Sequence, residues 1–420
     1  MNLKLFLQTV FATCLVSFFC VSANGQKIVP VDVSRVDTLR IDPSNSMGGT
    51  VSDFFTEVEY IPLETTKESL FGSISKLEIT DDRYLVWESS RRYILIFDKK
   101  GKFLKKIGSA GVGIVHFSLN RWTKQFIVNE QYARYKYYDL DGNLLKTVPA
   151  TAEKDKNTSF MQMHFLSADK GFADNYYQAS DTTDKYYKTF NGSLITFMGE
   201  DHKVYSKSLQ FPKNQTGLET IYFGNFQNIT RGDADSVYYY SKAFEYSIYS
   251  ISPDRVKQSY QMMFPLVNSL PQGFTSDTTL RNKRWEWFDK NREVITNVTD
   301  FYRIGNNLMF TAAAFSRTDE DVLFYNLKSG SLVAFKHIGR DESNSFLPIY
   351  YSRYNYSNTT ISNCYRGSLY GSISSLDMFN AFEEHKDRKI TYPPHLADYF
   401  KNRDRKDNPV ILRLKLKENI

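Results

Sequence analysis

"ILIFDKKGKFLKKI" at 94–107 and "YKYYDLDGNLLKTV" at 135–148 follow one plan: an apolar strand, an aspartate, a short turn carrying a glycine, and a second strand. Looser versions follow in "LITFMGEDHKVYSKSL", "YSIYSISPDRVKQSY" and "VLFYNLKSGSLVAFKHIG". With Phe97, Tyr138, Phe197, Ile251 and Tyr325 taken as equivalent, the spacings are 41, 59, 54 and 74 residues, a mean of about 57. Self-similarity of this kind governs the fold, because each repeat is one supersecondary unit that must bury its faces against its neighbours.

Further apolar strands precede each hairpin, most clearly in "ISKLEITDDRYLVWESSRRYILIFDKKGKFLKKIG" at 74–108. Strand, "TDDR" turn, strand, "ESSRR" loop, strand, "DKKG" turn and strand make a four-stranded antiparallel meander. Its alternation is imperfect, as expected of a sheet packed on both faces. Such sheets repeated five or more times predict radial packing, which protects the edges. The fold is therefore read as an all-β propeller of six blades or seven; a stacked β-solenoid would need shorter and more uniform repeats. Composition agrees, with 32 Phe and 29 Tyr beside plentiful Thr, Ser, Val and Ile. Helical patterning is confined to "SSLDMFNAFEEH" and "PPHLADYFKNR" near the end.

At the start, Lys4 precedes an apolar run from Leu5 to Val21, followed by "VSANGQ". This is the pattern of a signal peptide, cut after Ala23 or Gly25. The alternative is a retained anchor, although the run is near the lower length limit for a span. Phe18 and Phe19 before Cys20 disfavour a lipoprotein. The expected organisation is a signal peptide at 1–25, an N-terminal lead at 26–54 and one propeller domain at 55–420. Cys14 and Cys20 leave with the signal, so Cys364 has no intramolecular partner and is read as a buried strand residue. The net charge of +6 is spread along the chain without a basic block, which argues against nucleic acid or an anionic membrane as partner.

Residues 55–108, "FTEVEYIPLETTKESLFGSISKLEITDDRYLVWESSRRYILIFDKKGKFLKKIG", resemble the opening of six-bladed β-propeller proteins exported by Bacteroidetes, a family related in architecture to NHL-repeat and TolB-like propellers. "DFYRIGNNLMF" (300–310) and "DNPVILRLKLK" (407–417) are similar to the same family's later blade and terminal strand. The resemblance implies six blades and no particular reaction. Family members often carry Gly-Pro-Gly-Glu-Tyr after the first blade, whereas this chain has "GSAGVGIVHFS", so no role for that carboxylate carries over. The same reading pairs "PVILRLKLK" with an N-terminal strand such as "EVEYIPL", so that the last blade closes the ring from both chain ends.

With the ends structural, chemistry is sought in loops. The connections between the second and third strands of each blade open on one face beside the channel. They offer Ser89, Ser90, Arg91 and Arg92 in the first blade and Gln131, Tyr132 and Arg134 in the second. The fourth offers Ser241 and Lys242, and the fifth Ser316 and Arg317. Converging bases make a clamp for carboxylate or sulfate; the plain alternative is a set of solvated polar turns. Trp285 and Trp287 in "RNKRWEWFDKNRE" either stack on a ligand or pack a cap against a blade edge. Tyr350, Tyr351 and Arg353 in "FLPIYYSRYNYSN" pose the same choice. No catalytic motif is present, the six histidines are scattered, and no metal or cofactor site is read from the sequence.

The expected function is that of an exported scaffold, periplasmic or at the cell surface, which binds an unidentified small molecule, acidic glycan or peptide, or an envelope protein. The alternatives are a metal-assisted hydrolase or lyase acting on sugars or lactones, whose ligands would be gathered from several blades, and a structural envelope subunit.

Overall fold

The computed structural model describes residues 27–108, 113–130, 134–149, 162–174, 193–210, 229–232, 234–242, 244–280, 283–314, 322–349 and 361–420. The signal peptide expected at 1–25 lies outside them. Six sheets, each built on four antiparallel strands lettered a to d outward from the axis, form a closed ring. Blade 1 is Lys76–Ile79, Arg83–Glu88, Tyr93–Asp98 and Phe103–Ile107; blade 2 is Ile114–Asn120, Gln125–Glu130, Arg134–Asp139 and Leu144–Pro149. Phe97, Tyr138, Phe197, Ile251 and Tyr325 all fall in strand c of their blades, so the sequence repeat is the c–d hairpin.

The recurrent Asp–Gly turn has a local cause. Asp98 Oδ1 accepts from the backbone N–H groups of Lys100 (2.8 Å) and Lys102 (2.9 Å), and Asp139 Oδ1 does the same for Asp141 (3.0 Å) and Asn143 (2.8 Å). Gly101 then takes φ 84°, and a Cβ there would stand 2.2 Å from the Pro62 carbonyl oxygen. Both turns shift the strand register by one residue, which is the hairpin with a glycine bulge.

Six apolar clusters hold the blades together, one at each junction. In blade 1, Tyr84, Val86, Leu95 and Phe97 pack toward blade 6 with Tyr370 and Ile411, while Leu85, Ile94 and Ile96 pack toward blade 2 with Phe117 and Phe126. The period of two thus survives, with both faces apolar, so the strand reads as a continuous hydrophobic run. Cys364 is buried in blade 6.

Val410–Leu416 pairs antiparallel with Ser368–Ile373 on one side and Phe55–Pro62 on the other, so blade 6 joins both ends of the described chain. Before Phe55 the chain runs around the ring as a belt. Lys27–Ile28 adds a parallel strand outside blade 3, Val31–Asp32 and Asp37–Arg40 do so outside blade 4, and Met47–Thr50 outside blade 5. Each addition satisfies backbone groups that an edge strand would leave open. Among the described residues nothing pairs outside Leu144–Pro149 of blade 2, all of which is exposed.

Helices Ser375–Glu384 and Pro394–Asn402 fill the b–c connection of blade 6 and bury Met378, Phe379, Leu396 and Phe400 against the blade 5–6 cluster. Ser374 caps the first by accepting from the Asp377 N–H at 3.1 Å, and Pro394 starts the second.

Candidate functional site

Antiparallel order places the b–c connections at one mouth of the channel and the a–b turns at the other. At the b–c mouth, Arg91 and Arg92 are exposed. The Arg91 guanidinium donates to Leu70 O at 3.1 Å and its N–H to Glu88 at 2.7 Å. Arg92 has φ 57°, and its side chain lies where a Cβ on Gly113 would stand 2.4 Å from its Cδ. Arg134 pairs with Glu130 at 2.9 Å, Lys136 joins the same carboxylate at 2.8 Å, and Lys242 pairs with Glu245. Glu88, Glu130 and Glu245 thus supply one carboxylate for each of these three blades. Tyr132, Arg317, Tyr350, Tyr351 and Arg353 lie outside the described residues. Trp287 packs on Phe274 (5.0 Å between ring centres) and Phe288 (5.4 Å), while Trp285 in the same short helix is 43% exposed, so the two indoles do not share a face.

The opposite mouth holds a cluster that the sequence reading missed. Lys76 and Glu78 come from strand a of blade 1, Arg121 from the a–b turn of blade 2, His164 from strand a of blade 3, and Tyr365 from strand a of blade 6. Blade 4 supplies Arg231 from strand a, Asp235 from the turn and Tyr238 from strand b. Arg121 is the hub, with its side chain 8% exposed. It donates to Ile79 O of blade 1, stands 3.4 Å from Glu78 and 3.6 Å from Asp235, and lies over the Tyr365 ring at 4.6 Å. Arg231, equally buried, is 3.6 Å from Asp235 and lies over Tyr238 at 4.9 Å. Lys76 donates to Phe117 O of blade 2 at 2.9 Å and stands 3.4 Å from Glu78.

Side chains also stitch the innermost strands to one another. Asn363 of blade 6 donates to Leu77 O at 2.6 Å, and Ser118 of blade 2 accepts from the Met163 N–H at 3.1 Å. Thr230 of blade 4 donates to Phe301 O of blade 5. The inner edges therefore have partners although no strand covers them.

The charge balance at the a–b mouth is uneven. Lys76, Arg121 and Arg231 face one buried carboxylate, Glu78, and one half-exposed one, Asp235. Burial pushes the Glu78 carboxyl up, but Lys76, Arg231 and Arg121 together outweigh it and hold the group below the usual carboxylate range. Burial draws the Lys76 ammonium down, with Arg231 and Arg121 acting in the same direction. His164, stacked on Phe172 at 5.1 Å and edge-on to Tyr238 at 5.3 Å, is pushed down to about 3 by burial and then by Lys76, so it is neutral at pH 7. The Glu78 shift, downward against burial, shows the pull of the three bases around it. Arg231 is shifted up: burial draws it down, but Tyr238, Glu78 and Asp235 outweigh this. The buried Arg121 Nε has no hydrogen-bond partner, a costly state for a donor. Chemically, the arrangement is suited to a carboxylate or similar small anion held by paired N–H donors.

Trp122, 39% exposed, follows Arg121 in the same turn. Arg366 and Tyr365 both reach Asp81 across the junction of blades 6 and 1, at 2.8 and 2.7 Å. Among the described residues no group of three or more His, Cys, Asp or Glu could hold a metal, and no helix is long and apolar enough to cross a membrane.

A sequence profile described as Domain of unknown function (DUF4934) matches residues 38–415. A solved structure assigned as an exported protein of Bacteroides fragilis is similar with TM-score 0.62 and 10% identity, over 90% of this chain and 99% of that one. A member of the DUF4221 family from Bacteroides vulgatus aligns with TM-score 0.47 and 10% identity, over 87% and 98% of the two chains. No curated protein matches the sequence. At such identities the likeness extends to the fold alone.

Proposed function

The chain belongs to the DUF4934 family, and from that premise we propose that it is an exported binding scaffold which holds the carboxylate of an acidic glycan at the a–b mouth of its propeller channel. The observation that carries this reading is the convergence of three buried bases from three blades on two carboxylates, Lys76 and Arg121 on Glu78 and Arg121 and Arg231 on Asp235, with Arg121 Nε lacking a hydrogen bond. Trp122 beside Arg121 supplies an exposed ring of the kind that stacks on sugars. Export is supported by the apolar run from Leu5 to Val21 before "VSANGQ" and by the likeness to an exported Bacteroides protein.

The direct test is titration calorimetry with D-glucuronate, with D-glucose as the neutral control. Saturable binding of the acid and none of the neutral sugar is the expected result; no binding of the acid by the wild type or by a variant without the Asp235 carboxylate removes the proposal. N-terminal sequencing of the protein from its native envelope should begin near Asn24 or Gln26, and intact Met1 would overturn the cleaved signal.

A further inference from the structure

We infer that Asp235 is a built-in stand-in for the ligand's carboxylate, seated between Arg121 and Arg231 until an external acid displaces it. The inference rests on the binding reading above and assigns a role to a residue which that reading does not use.

Three observations combine. Asp235 Oδ1 lies 3.6 Å from both Arg121 Nε and Arg231 Nη1, close enough for attraction and too far for a hydrogen bond to either. The two guanidinium groups are fixed: their side chains are 8% exposed, each lies on an aromatic ring, and Arg121 is also tied to Ile79 O. Asp235, by contrast, is 55% exposed on a turn whose base is closed by Gly232 N–H to Val237 O at 2.8 Å and Val237 N–H to Ala234 O at 3.0 Å. Its side chain can therefore swing into solvent without breaking the turn.

The contrast with Glu78 supports the assignment. Glu78 is buried between Lys76 and Arg121 and cannot leave without stranding both charges. Asp235 is the carboxylate of the cluster that can exchange. A ligand carboxylate seated where Asp235 now points would reach hydrogen-bond distance of Arg121 Nε and Arg231, because it is not held back by a turn. The Asp235 carboxylate is then an internal competitor that lowers the affinity for every anion and favours those able to bond both arginines.

The test is a comparison of Asp235→Asn with wild type in D-glucuronate titrations, with Asp235→Ser as a second variant in case the amide perturbs the turn. Removing the competitor should tighten binding at least about fivefold in both variants, and the gain should vanish when Arg231→Gln is added. If the wild type binds and the Asp235 variants bind equally or more weakly, the stand-in role is overturned and the binding function remains. Binding by the Asp235 variants alone supports the stand-in role. No binding by any of the three proteins overturns both.

Discussion

The two mouths of the channel carry similar numbers of bases and use them differently. At the b–c mouth each paired base finds its carboxylate within its own blade: Arg134 with Glu130 and Lys242 with Glu245. At the a–b mouth Lys76 and Arg231 also meet carboxylates of their own blades, but Arg121 of blade 2 crosses to Glu78 of blade 1 and to Asp235 of blade 4. Charges matched within a meander are neutralised before the ring closes, so they say little about a ligand. Charges matched across the axis depend on closure, and there the surplus cation is buried, whereas Arg91, Arg92 and Arg134 at the b–c mouth are open to solvent.

The largest expected effect that would break this contrast is on stability. Glu78→Gln leaves Lys76, Arg121 and Arg231 with no buried counter-charge and should cost about 3–5 kcal/mol in urea unfolding. Glu130→Gln should cost less, because Arg134 beside it is half exposed and solvent screens it. Equal losses at the two mouths would mean that the cross-blade network has no special weight.

Next comes binding. Arg121→Ala removes charge-assisted bonds worth about 1.5–3 kcal/mol, so D-glucuronate affinity should fall by roughly 10- to 100-fold. Unchanged affinity would move the site elsewhere.

The third effect is a pH slope set by His164, which faces Lys76, Glu78, Arg231 and His116. An unfolded chain takes up its proton near pH 6.5, whereas the folded protein resists until about 3. The unfolded state therefore binds more protons throughout that window, and stability, complete above it, declines as pH falls. The wild type should lose about 1.4 kcal/mol per pH unit more than His164→Gln inside the window. Parallel stability curves for the two proteins would show that His164 is not held neutral.

The smallest effect sharpens the contrast from the other side. Arg92→Ala with Arg134→Ala, at the mouth the sequence pointed to, should change D-glucuronate affinity less than twofold and stability by under about 1 kcal/mol. A large loss of affinity would place the ligand at the b–c mouth.

Much of the scaffold is readable along the chain because its signals are local. Asp98 with Gly101 and Asp139 with Gly142 set hairpins within a few residues, and the two terminal helices show their apolar faces and starts. The belt is not readable. Lys27–Ile28, Val31–Asp32 and Met47–Thr50 are held by backbone bonds along blade edges, which impose no side-chain pattern. The site left one faint trace, a charged residue within or just after otherwise apolar first strands: Glu78 in "KLEI", Arg121 after "FSLN" and Arg231 ending "ITR". Nothing local says that these three meet.

The sequence by itself determined the repeat, its antiparallel meander and the closure by the two ends, because strand period, turn chemistry and apolar pattern act over fewer than about fifteen residues and recur. Only the tertiary structure decided which mouth gathers uncompensated charge. Electrostatic balance is a property of groups brought within a few ångströms of each other, and ring closure alone brings Arg121 that close to Glu78 and Asp235.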